Sequence, residues 1–181
     1  MPFHPGPGVG GHCIPLDPYY LSFAARHKGM RPQFIELSGE INDYMKIHTV
    51  NLVELGLKEF GKTIRDSVVG ILGMAYKKDI SDVRESPSLE IISDLSERGA
   101  VVKVYDPFIA TVKTRTGTYT SERTPEALFK GSDAVILVTD HTQFQTLKYD
   151  SLIKKMRSKL LVDTRNCIAG LKDKKAVYLR I

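Results

Sequence analysis

Ser67-Val-Val-Gly-Ile-Leu-Gly-Met74 is the stretch that decides the fold of this chain. It is apolar without alternation, which is typical of a strand covered on both faces, as in a parallel sheet. Ser86-Pro87 then begins a predicted helix that ends near Gly99, and Val101-Val-Lys-Val-Tyr-Asp106 gives a second strand. A strand, a helix and a strand in this order predict a βαβ unit.

The same alternation continues to the end of the chain. Helices are predicted from Thr124-Pro125 onward and from an Asp150 cap to Arg157, with strands over 133–139, 160–163 and 177–181. This alternation predicts an α/β fold with a doubly wound, mostly parallel, Rossmann-like sheet. The polar stretch Pro107–Arg123 has little pattern, and we interpret it as a loop or small excursion.

A long helix over Glu36–Phe60 is predicted before the sheet. One apolar face comprises Leu37, Ile41, Met45, His48, Leu52 and Leu55, and a second comprises Val50, Val53, Leu57 and Phe60. A helix that is apolar on two sides needs two partners, so we expect contacts with its own domain and with another subunit. The alternative is a helix buried within one chain. The pattern changes near Ile64, which predicts one region over 1–64 and a second over 65–181.

The segment His4-Pro-Gly-Pro-Gly-Val-Gly-Gly-His-Cys-Ile-Pro-Leu-Asp-Pro18 brings Cys13 close to a predicted helix. Its glycines, Gly6, Gly8, Gly10 and Gly11, allow close approach of an anion to the backbone, which favours phosphate or oxyanion binding. Asp17-Pro18 predicts an N-cap and a first-turn proline for a helix that ends at His27. The positive end of that helix would favour a thiolate at Cys13. The plainer alternatives are that the segment is only a connecting loop, that Cys13 is a small buried apolar residue and that Asp17 only caps the helix.

Composition narrows the classes of function. The chain has 181 residues, 42% of them hydrophobic, and a net charge of +5 with basic and acidic residues intermixed. This pattern argues against nucleic-acid binding, and the charge fits a pyrophosphate ligand or simple solubility. We find neither a signal-peptide pattern nor an apolar run of the ~20 residues that span a membrane. Two distant cysteines predict neither a disulfide framework nor a metal site, so we expect a reducing, cytoplasmic location.

Three ordered motifs resemble one enzyme family. Gly10-Gly-His-Cys-Ile-Pro-Leu-Asp-Pro18 resembles the catalytic cysteine segment of the NAD-dependent nucleotide-sugar 6-dehydrogenases, which act on UDP-glucose and UDP-N-acetylhexosamines. Gly70–Asp79 with Asp82–Pro87 resembles the opening of that family's UDP-sugar-binding domain, and Asp163-Thr-Arg-Asn166 resembles its late arginine motif. The family's N-terminal NAD-binding domain has no counterpart in this sequence. We therefore expect the chain alone to be inactive and a missing or separate N-terminal half to bind most of the NAD.

The resemblance implies a role for each candidate residue. Cys13 matches the nucleophile, Asp17 the aspartate that assists water, Tyr76 and Lys77 the contacts to the UDP-sugar, Arg165 a substrate contact and Arg84 an arginine near NAD. In the family, NAD removes two hydrides, and the cysteine carries the sugar as a thiohemiacetal and then as a thioester that water releases as a uronic acid. The resemblance also implies a homodimer through the central helix and a role in polysaccharide precursor synthesis. Gly10-Gly-His-Cys13 resembles members that act on N-acetylated sugars, which favours UDP-N-acetylglucosamine or UDP-N-acetylmannosamine.

Other interpretations stay open on the residues alone. Lys77 could be a solvated lysine, and Arg84 could only pair with Asp82 or Glu85. A non-catalytic UDP-sugar-binding or regulatory subunit would keep Lys77 and Arg165 but not need Cys13. A cysteine acyl hydrolase would use Cys13 with a nearby histidine and no NAD, although adjacent His12 and Cys13 side chains generally point in different directions.

Overall fold

The structure of the protein is a computed structural model, and it describes residues 4–181. In chain order its elements are α1 (Cys13–His27), α2 (Gln33–Lys58), β1 (Val68–Leu72), α3 (Pro87–Glu97), β2 (Val101–Tyr105), β3 (Thr111–Thr114), β4 (Gly117–Thr120), α4 (Pro125–Phe129), β5 (Ala134–Leu137), α5 (Thr142–Gln145), α6 (Tyr149–Leu152), a 3₁₀ turn (Ile153–Lys155), β6 (Leu160–Asp163) and β7 (Val177–Arg180).

Five strands form one parallel sheet in the order β2-β1-β5-β6-β7. The chain winds outward from β1 in one direction to β2 and in the other to β5, β6 and β7. This confirms the predicted doubly wound α/β sheet, and it opens a crevice at the carboxyl ends of β1 and β5, where ligands bind in such folds. Ser86 caps α3 by accepting a hydrogen bond from the Ser88 amide, as the Ser86-Pro87 pair predicts.

The second half of α2 belongs to the core of the sheet. Val50, Val53 and Leu57 are fully buried among side chains of the sheet and α3. Just after α2, Lys62 forms an ion pair with the buried carboxylate of Asp133, which also accepts a hydrogen bond from the Val68 amide at 2.8 Å. The helix is therefore attached to the sheet by both apolar packing and a charge contact.

Most of α1 and the exposed side of α2 carry an unusually apolar surface. Exposed large apolar residues are Ile14, Leu16, Tyr19, Tyr20, Leu21 and Phe23 on α1, and Phe34, Leu37, Ile41, Tyr44, Ile47 and Leu55 on α2. Met45, His48 and Leu52 are half-buried. An apolar surface of this extent is typical of an interaction face. The predicted contact of α2 with a second subunit remains a prediction.

The predicted start of the first helix is wrong. The helix begins at Cys13, so Asp17 and Pro18 lie inside it, and its N-cap residue is His12, whose side chain makes no capping hydrogen bond. Pro15 stands in the first turn, where a missing N–H costs nothing because that position has no helical partner. Pro18 removes one helical hydrogen bond without ending α1.

Three further boundaries differ from the prediction. Asp150 lies inside α6, which soon becomes a 3₁₀ turn and does not reach Arg157 as a helix. The Asp150 carboxylate does not act as a helix cap. It accepts hydrogen bonds from the Lys172 and Asp173 amides at 3.0 and 3.1 Å instead. The weakly patterned stretch 107–123 contains the antiparallel β3–β4 hairpin, and α2 covers 33–58 instead of 36–60.

Among residues 4–181, none of the helices combines the length and the apolarity needed to cross a bilayer.

Candidate active site at the carboxyl ends of the strands

The glycine segment 6–12 lies between two of the loops that follow strands. Gly6 contacts the turn after β6, since a Cβ on Gly6 would lie 2.7 Å from Nη1 of Arg165. Gly10 contacts the loop after β1, since a Cβ there would lie 2.8 Å from Cβ of Tyr76. The Gly11 amide also donates a 3.0 Å hydrogen bond to the Arg84 carbonyl. The segment therefore links the turn that carries Arg165 to the loop that carries Tyr76 and continues to Cys13.

Asn42 of α2 holds the middle of this segment. Its Oδ1 accepts a hydrogen bond from the Val9 amide at 2.7 Å, and its Nδ2 donates to the Val9 carbonyl at 3.4 Å. The neighbouring Gly8 has a φ of +126°, a conformation that favours glycine. Sequence analysis missed Asn42 because a polar residue in an amphipathic helix gives no separate signal. The contact attaches the segment to the long helix.

Cys13 is exposed and occupies the first position of α1. Cys13 therefore lies closer to the positive end of the helix than the sequence predicts. Asp17 is also exposed and lies one helical turn later, so the two side chains share a face of α1. The structure therefore places the candidate nucleophile and the candidate water-assisting carboxylate side by side.

Arg165 is held by its own turn. The Asp163 carboxylate accepts hydrogen bonds from the Arg165 amide at 3.1 Å and from the Ile168 amide at 2.8 Å. The guanidinium Nε donates to the Val138 carbonyl at 2.9 Å, which directs the group toward Gly6. Burial lowers the pKa of Arg165, and the negative charge of Asp140 opposes this effect. The guanidinium stays charged because free arginine has a very high pKa.

Lys77 and Tyr76 lie in the loop that follows β1, with Lys77 exposed and Tyr76 half-buried. The Tyr76 amide donates to the Asp82 carbonyl at 3.0 Å, which closes this loop on itself. The ring of Tyr76 lies against Gly11, since a Cβ on Gly11 would be 2.9 Å from its Cε2. The glycine segment therefore packs against the residue that precedes Lys77.

Arg84 makes the ion pair that sequence analysis gives as its plainer alternative. Its Nε and Nη2 donate to the Asp82 carboxylate at 2.9 and 2.7 Å. These hydrogen bonds raise the pKa of Arg84 and lower that of Asp82. The Gly11 amide donates to the Arg84 carbonyl, so Arg84 lies beside the segment that ends on Cys13, and 66% of its side chain is exposed.

A buried polar pair, Asp106 and His141, was not found by sequence analysis. His141 Nε2 lies 3.0 Å from Oδ2 of Asp106, and both side chains are fully buried. Burial alone would raise the pKa of Asp106, but hydrogen bonds from His141 and from the Met74 and Phe108 amides lower it. Both residues come shortly after a strand, β2 or β5, and a polar residue at the carboxyl end of a parallel strand is the signal that could have identified them.

The strand ends do not form a second dinucleotide site of the three-glycine type. A Cβ on Gly70 would meet Leu128 and Val135, and a Cβ on Gly73 would lie 2.6 Å from Cβ of Thr139. Both glycines therefore pack against protein. In the three-glycine motif, by contrast, the glycines leave room for the pyrophosphate. The role of Arg84 in NAD binding stays a prediction, and its exposed guanidinium is paired with Asp82. No three His, Cys, Asp or Glu residues among 4–181 are grouped so that they could hold a metal ion.

Fold and site together define an α/β protein with a nucleotide-type crevice and a cysteine at its edge. Residues 70–170, more than half of the chain, match the UDP-binding domain of the UDP-glucose/GDP-mannose dehydrogenase family, and residues 1–44 match the central domain of the same family. The chain belongs to this family of nucleotide-sugar dehydrogenases.

Relatives and solved structures agree with this assignment. The UDP-N-acetyl-D-mannosamine dehydrogenase of Methanococcus maripaludis is 36% identical over 97% of this chain, and the UDP-glucose 6-dehydrogenase of Rhizobium meliloti is 30% identical over 90% of it. The structure of the UDP-D-ManNAc dehydrogenase of Pyrococcus horikoshii matches 99% of this chain with a TM-score of 0.86 and 28% identity. This chain spans 39%, 37% and 40% of the lengths of these three proteins.

Proposed function

We propose that this chain supplies the nucleophile and the nucleotide-sugar side of an NAD-dependent UDP-sugar 6-dehydrogenase. The observation that carries the proposal is the course of the glycine segment, which contacts Arg165 at Gly6 and Tyr76 at Gly10 and ends on Cys13 at the start of α1. One segment thus links the proposed nucleotide contacts to the proposed reacting sulfur. Regions 1–64 and 65–181 would form the cysteine-bearing and UDP-binding parts.

In this proposal, Lys77 and Arg165 bind the UDP diphosphate. Arginine offers planar paired donors and lysine a compact charge, and together they suit two adjacent phosphates. The exposed position of Lys77 and the fixed guanidinium of Arg165 support these roles. Gly6, Gly8 and Gly10 contribute to the substrate site by their close packing, since an added Cβ would meet Arg165 at Gly6, Asn42 at Gly8 and Tyr76 at Gly10.

The Sγ of Cys13 is the proposed covalent carrier. NAD, when bound, accepts the hydrides that the sugar alcohol carbon loses. Sγ adds to the resulting aldehyde carbon, and the thiol proton ends on the former carbonyl oxygen, which gives a thiohemiacetal. After the second oxidation the sugar is a thioester, and water adds at the same carbon while Sγ leaves and regains a proton. Asp17, one turn along α1, would orient that water and accept its proton.

Arg84 is the proposed contact of this chain with NAD, while a separate or preceding N-terminal half would bind most of the cofactor. The exposed guanidinium and the hydrogen bond from the Gly11 amide to the Arg84 carbonyl, two residues before Cys13, support this position. We propose a UDP-N-acetylhexosamine as substrate, in line with the UDP-N-acetyl-D-mannosamine dehydrogenase named above. We also propose a homodimer through the apolar face of α2, and no NAD turnover by the chain alone.

Calorimetry with UDP tests the nucleotide site on the chain as it is. Lys77→Ala and Arg165→Ala should each weaken UDP binding, because a lost contact to a charged group is worth roughly 1.5 to 3 kcal/mol. Lys113→Ala, which removes an exposed lysine of the β3–β4 hairpin, is the matched control and should bind UDP normally. Unchanged affinity in both folded site variants would remove these residues from the site.

Turnover tests the catalytic part of the proposal. The chain is mixed with the N-terminal half of a related dehydrogenase, and NAD reduction is followed with a UDP-N-acetylhexosamine. Cys13→Ala should form no uronic acid and should still bind UDP. Normal uronic acid formation by this variant would refute the nucleophile, whereas UDP binding without turnover by any combination would favour a non-catalytic binding subunit.

A further inference from the structure

We propose that the buried pair Asp106–His141 positions the loop that carries Tyr76 and Lys77, and that it thereby sets the affinity of the site for a nucleoside diphosphate. The inference rests on the proposed function of that loop. Asp106 and His141 are positioning residues: both side chains are fully buried, so neither can touch a ligand.

The pair holds the loop at both ends. Oδ2 of Asp106 accepts hydrogen bonds from the Met74 amide at 2.6 Å and the Ala75 amide at 3.1 Å. Nδ1 of His141 accepts a hydrogen bond from the Asp79 amide at 2.9 Å. Tyr76 and Lys77 lie between these contacts. A displacement at either end would therefore move both side chains.

The hydrogen-bond pattern fixes the state of the imidazole. Because Nδ1 accepts from a backbone N–H, the ring proton must lie on Nε2, which donates it to Asp106 at 3.0 Å. The rings of Phe108 and Phe144 lie 5.1 and 5.2 Å from the imidazole and restrict its rotation. The imidazole thus joins the carboxylate that follows β2 to the loop that follows β1.

Residues that follow β5 make further hydrogen bonds to the loop after β1. Thr139 donates its hydroxyl to the Ala75 carbonyl at 2.6 Å. The Asp79 carboxylate accepts from the Thr142 amide at 2.9 Å, and Asp79 itself has a φ of +58°, which is uncommon for a residue other than glycine. Such a backbone conformation persists where the surroundings impose it. Asp106, His141 and Thr139 are the buried residues among those surroundings.

Two substitutions at one position separate a positioning role from a merely structural one. Asn places an amide oxygen where Nδ1 was, so His141→Asn can keep the bond from the Asp79 amide and lose the bond to Asp106. Gln places its amide nitrogen where Nε2 was, so His141→Gln can keep the hydrogen bond to Asp106 and lose the hydrogen bond from the Asp79 amide. Ser132→Ala is the control, because it removes a buried hydrogen bond to the Leu128 carbonyl before β5, at the opposite end of the sheet.

The expected readout is UDP affinity by calorimetry, set beside urea unfolding of each variant. His141→Gln should weaken UDP binding about tenfold, and His141→Asn about twofold or less. Ser132→Ala should lower stability and leave the affinity unchanged. Equal weakening by Asn and Gln, or affinities that follow only the unfolding free energies, would overturn the positioning role.

A second measurement uses the unchanged chain and stays decisive if a variant fails to fold. Nuclear magnetic resonance should show Nδ1 of His141 without a proton and a scalar coupling through the hydrogen bond to the Asp79 amide nitrogen. A proton on Nδ1, or fast hydrogen exchange at the Asp79 amide, would refute the inference. If the wild type binds no UDP, the proposed function fails and the inference with it. If Lys77→Ala loses binding and His141→Gln does not, only the inference fails.

Discussion

Replacing Gly10 with alanine tests whether the glycine segment has to lie against the loop after β1. The new Cβ would collide most closely with the Glu85 carbonyl oxygen, and it would lie 2.8 Å from Cβ of Tyr76. Ordinary contacts at this kind of position begin near 3.4 Å, and the obstacles are backbone and a ring-bearing Cβ, which cannot swing aside. The segment must therefore move by up to about 1 Å, away from both Tyr76 and the Glu85 carbonyl.

The expected change in the free energy of unfolding follows from two opposing effects. Insertion of a methyl group into a packed contact costs about 1 to 3 kcal/mol. The substitution also restricts the unfolded chain, which returns about 0.4 to 1 kcal/mol. We expect Gly10→Ala to lower the free energy of unfolding by about 1 to 2 kcal/mol and to weaken UDP binding about tenfold, because small displacements in a positioned site have large effects.

Gly29→Ala is the matched control. Gly29 has a φ of +76° and nothing within 4 Å of an added Cβ, so alanine there costs about 1 kcal/mol of backbone strain without a clash. It lies between α1 and α2, away from the segment. Urea unfolding should show similar losses for both variants, and calorimetry should show weaker UDP binding for Gly10→Ala alone. Equal UDP affinity in the two variants would refute the close packing on which the site depends.

Three further predictions concern the rest of the chain. If α2 is a dimer face, Ile41→Glu should shift the chain to a monomer in sedimentation velocity, and a wild type that is already monomeric at high concentration would contradict this. Burial alone would raise the pKa of Asp133, but its ion pair with Lys62 lowers it. The stabilisation is therefore complete above the unfolded pKa of about 3.9 and is lost as the pH falls through the lower folded pKa. In urea unfolding, Asp133→Ala should lower the free energy of unfolding by about 3 kcal/mol at pH 7 and by less at pH 3. An equal loss at both pH values would contradict a stabilising ion pair. Burial raises the pKa of Cys167 to about 12, so alkylation at neutral pH, read by mass spectrometry, should modify Cys13 first; faster labelling of Cys167 would contradict it.

The architecture was predictable where local sequence and tertiary structure agree. Uninterrupted apolar runs predicted β1 and β5, and the Ser86-Pro87 pair predicted the start of α3, because burial on two faces and capping each leave a direct mark on the sequence. The helix start at Asp17-Pro18 was wrong because two prolines competed for the first turn, and Pro15 already satisfies it.

The supporting contacts of the site could not be predicted in the same way. Asn42 contacts Val9, which lies 33 residues earlier in the chain. His141 contacts Asp106, 35 residues earlier, and Asp79, 62 residues earlier. No short-range pattern encodes such pairings. Motif resemblance identified the candidate contact residues, and the structure adds the hydrogen bonds that would hold them in place.

The most direct test of Cys13 as the nucleophile follows carbon 6 of a UDP-N-acetylhexosamine 6-aldehyde labelled with ¹³C. Mixed with the wild-type chain or with Cys167→Ser, the labelled carbon should give a thiohemiacetal signal that exchanges with the free aldehyde and its hydrate. Cys13→Ala should bind the nucleotide without producing that signal. A thiohemiacetal signal of equal intensity in Cys13→Ala, or its loss in Cys167→Ser alone, would contradict the assignment of Cys13.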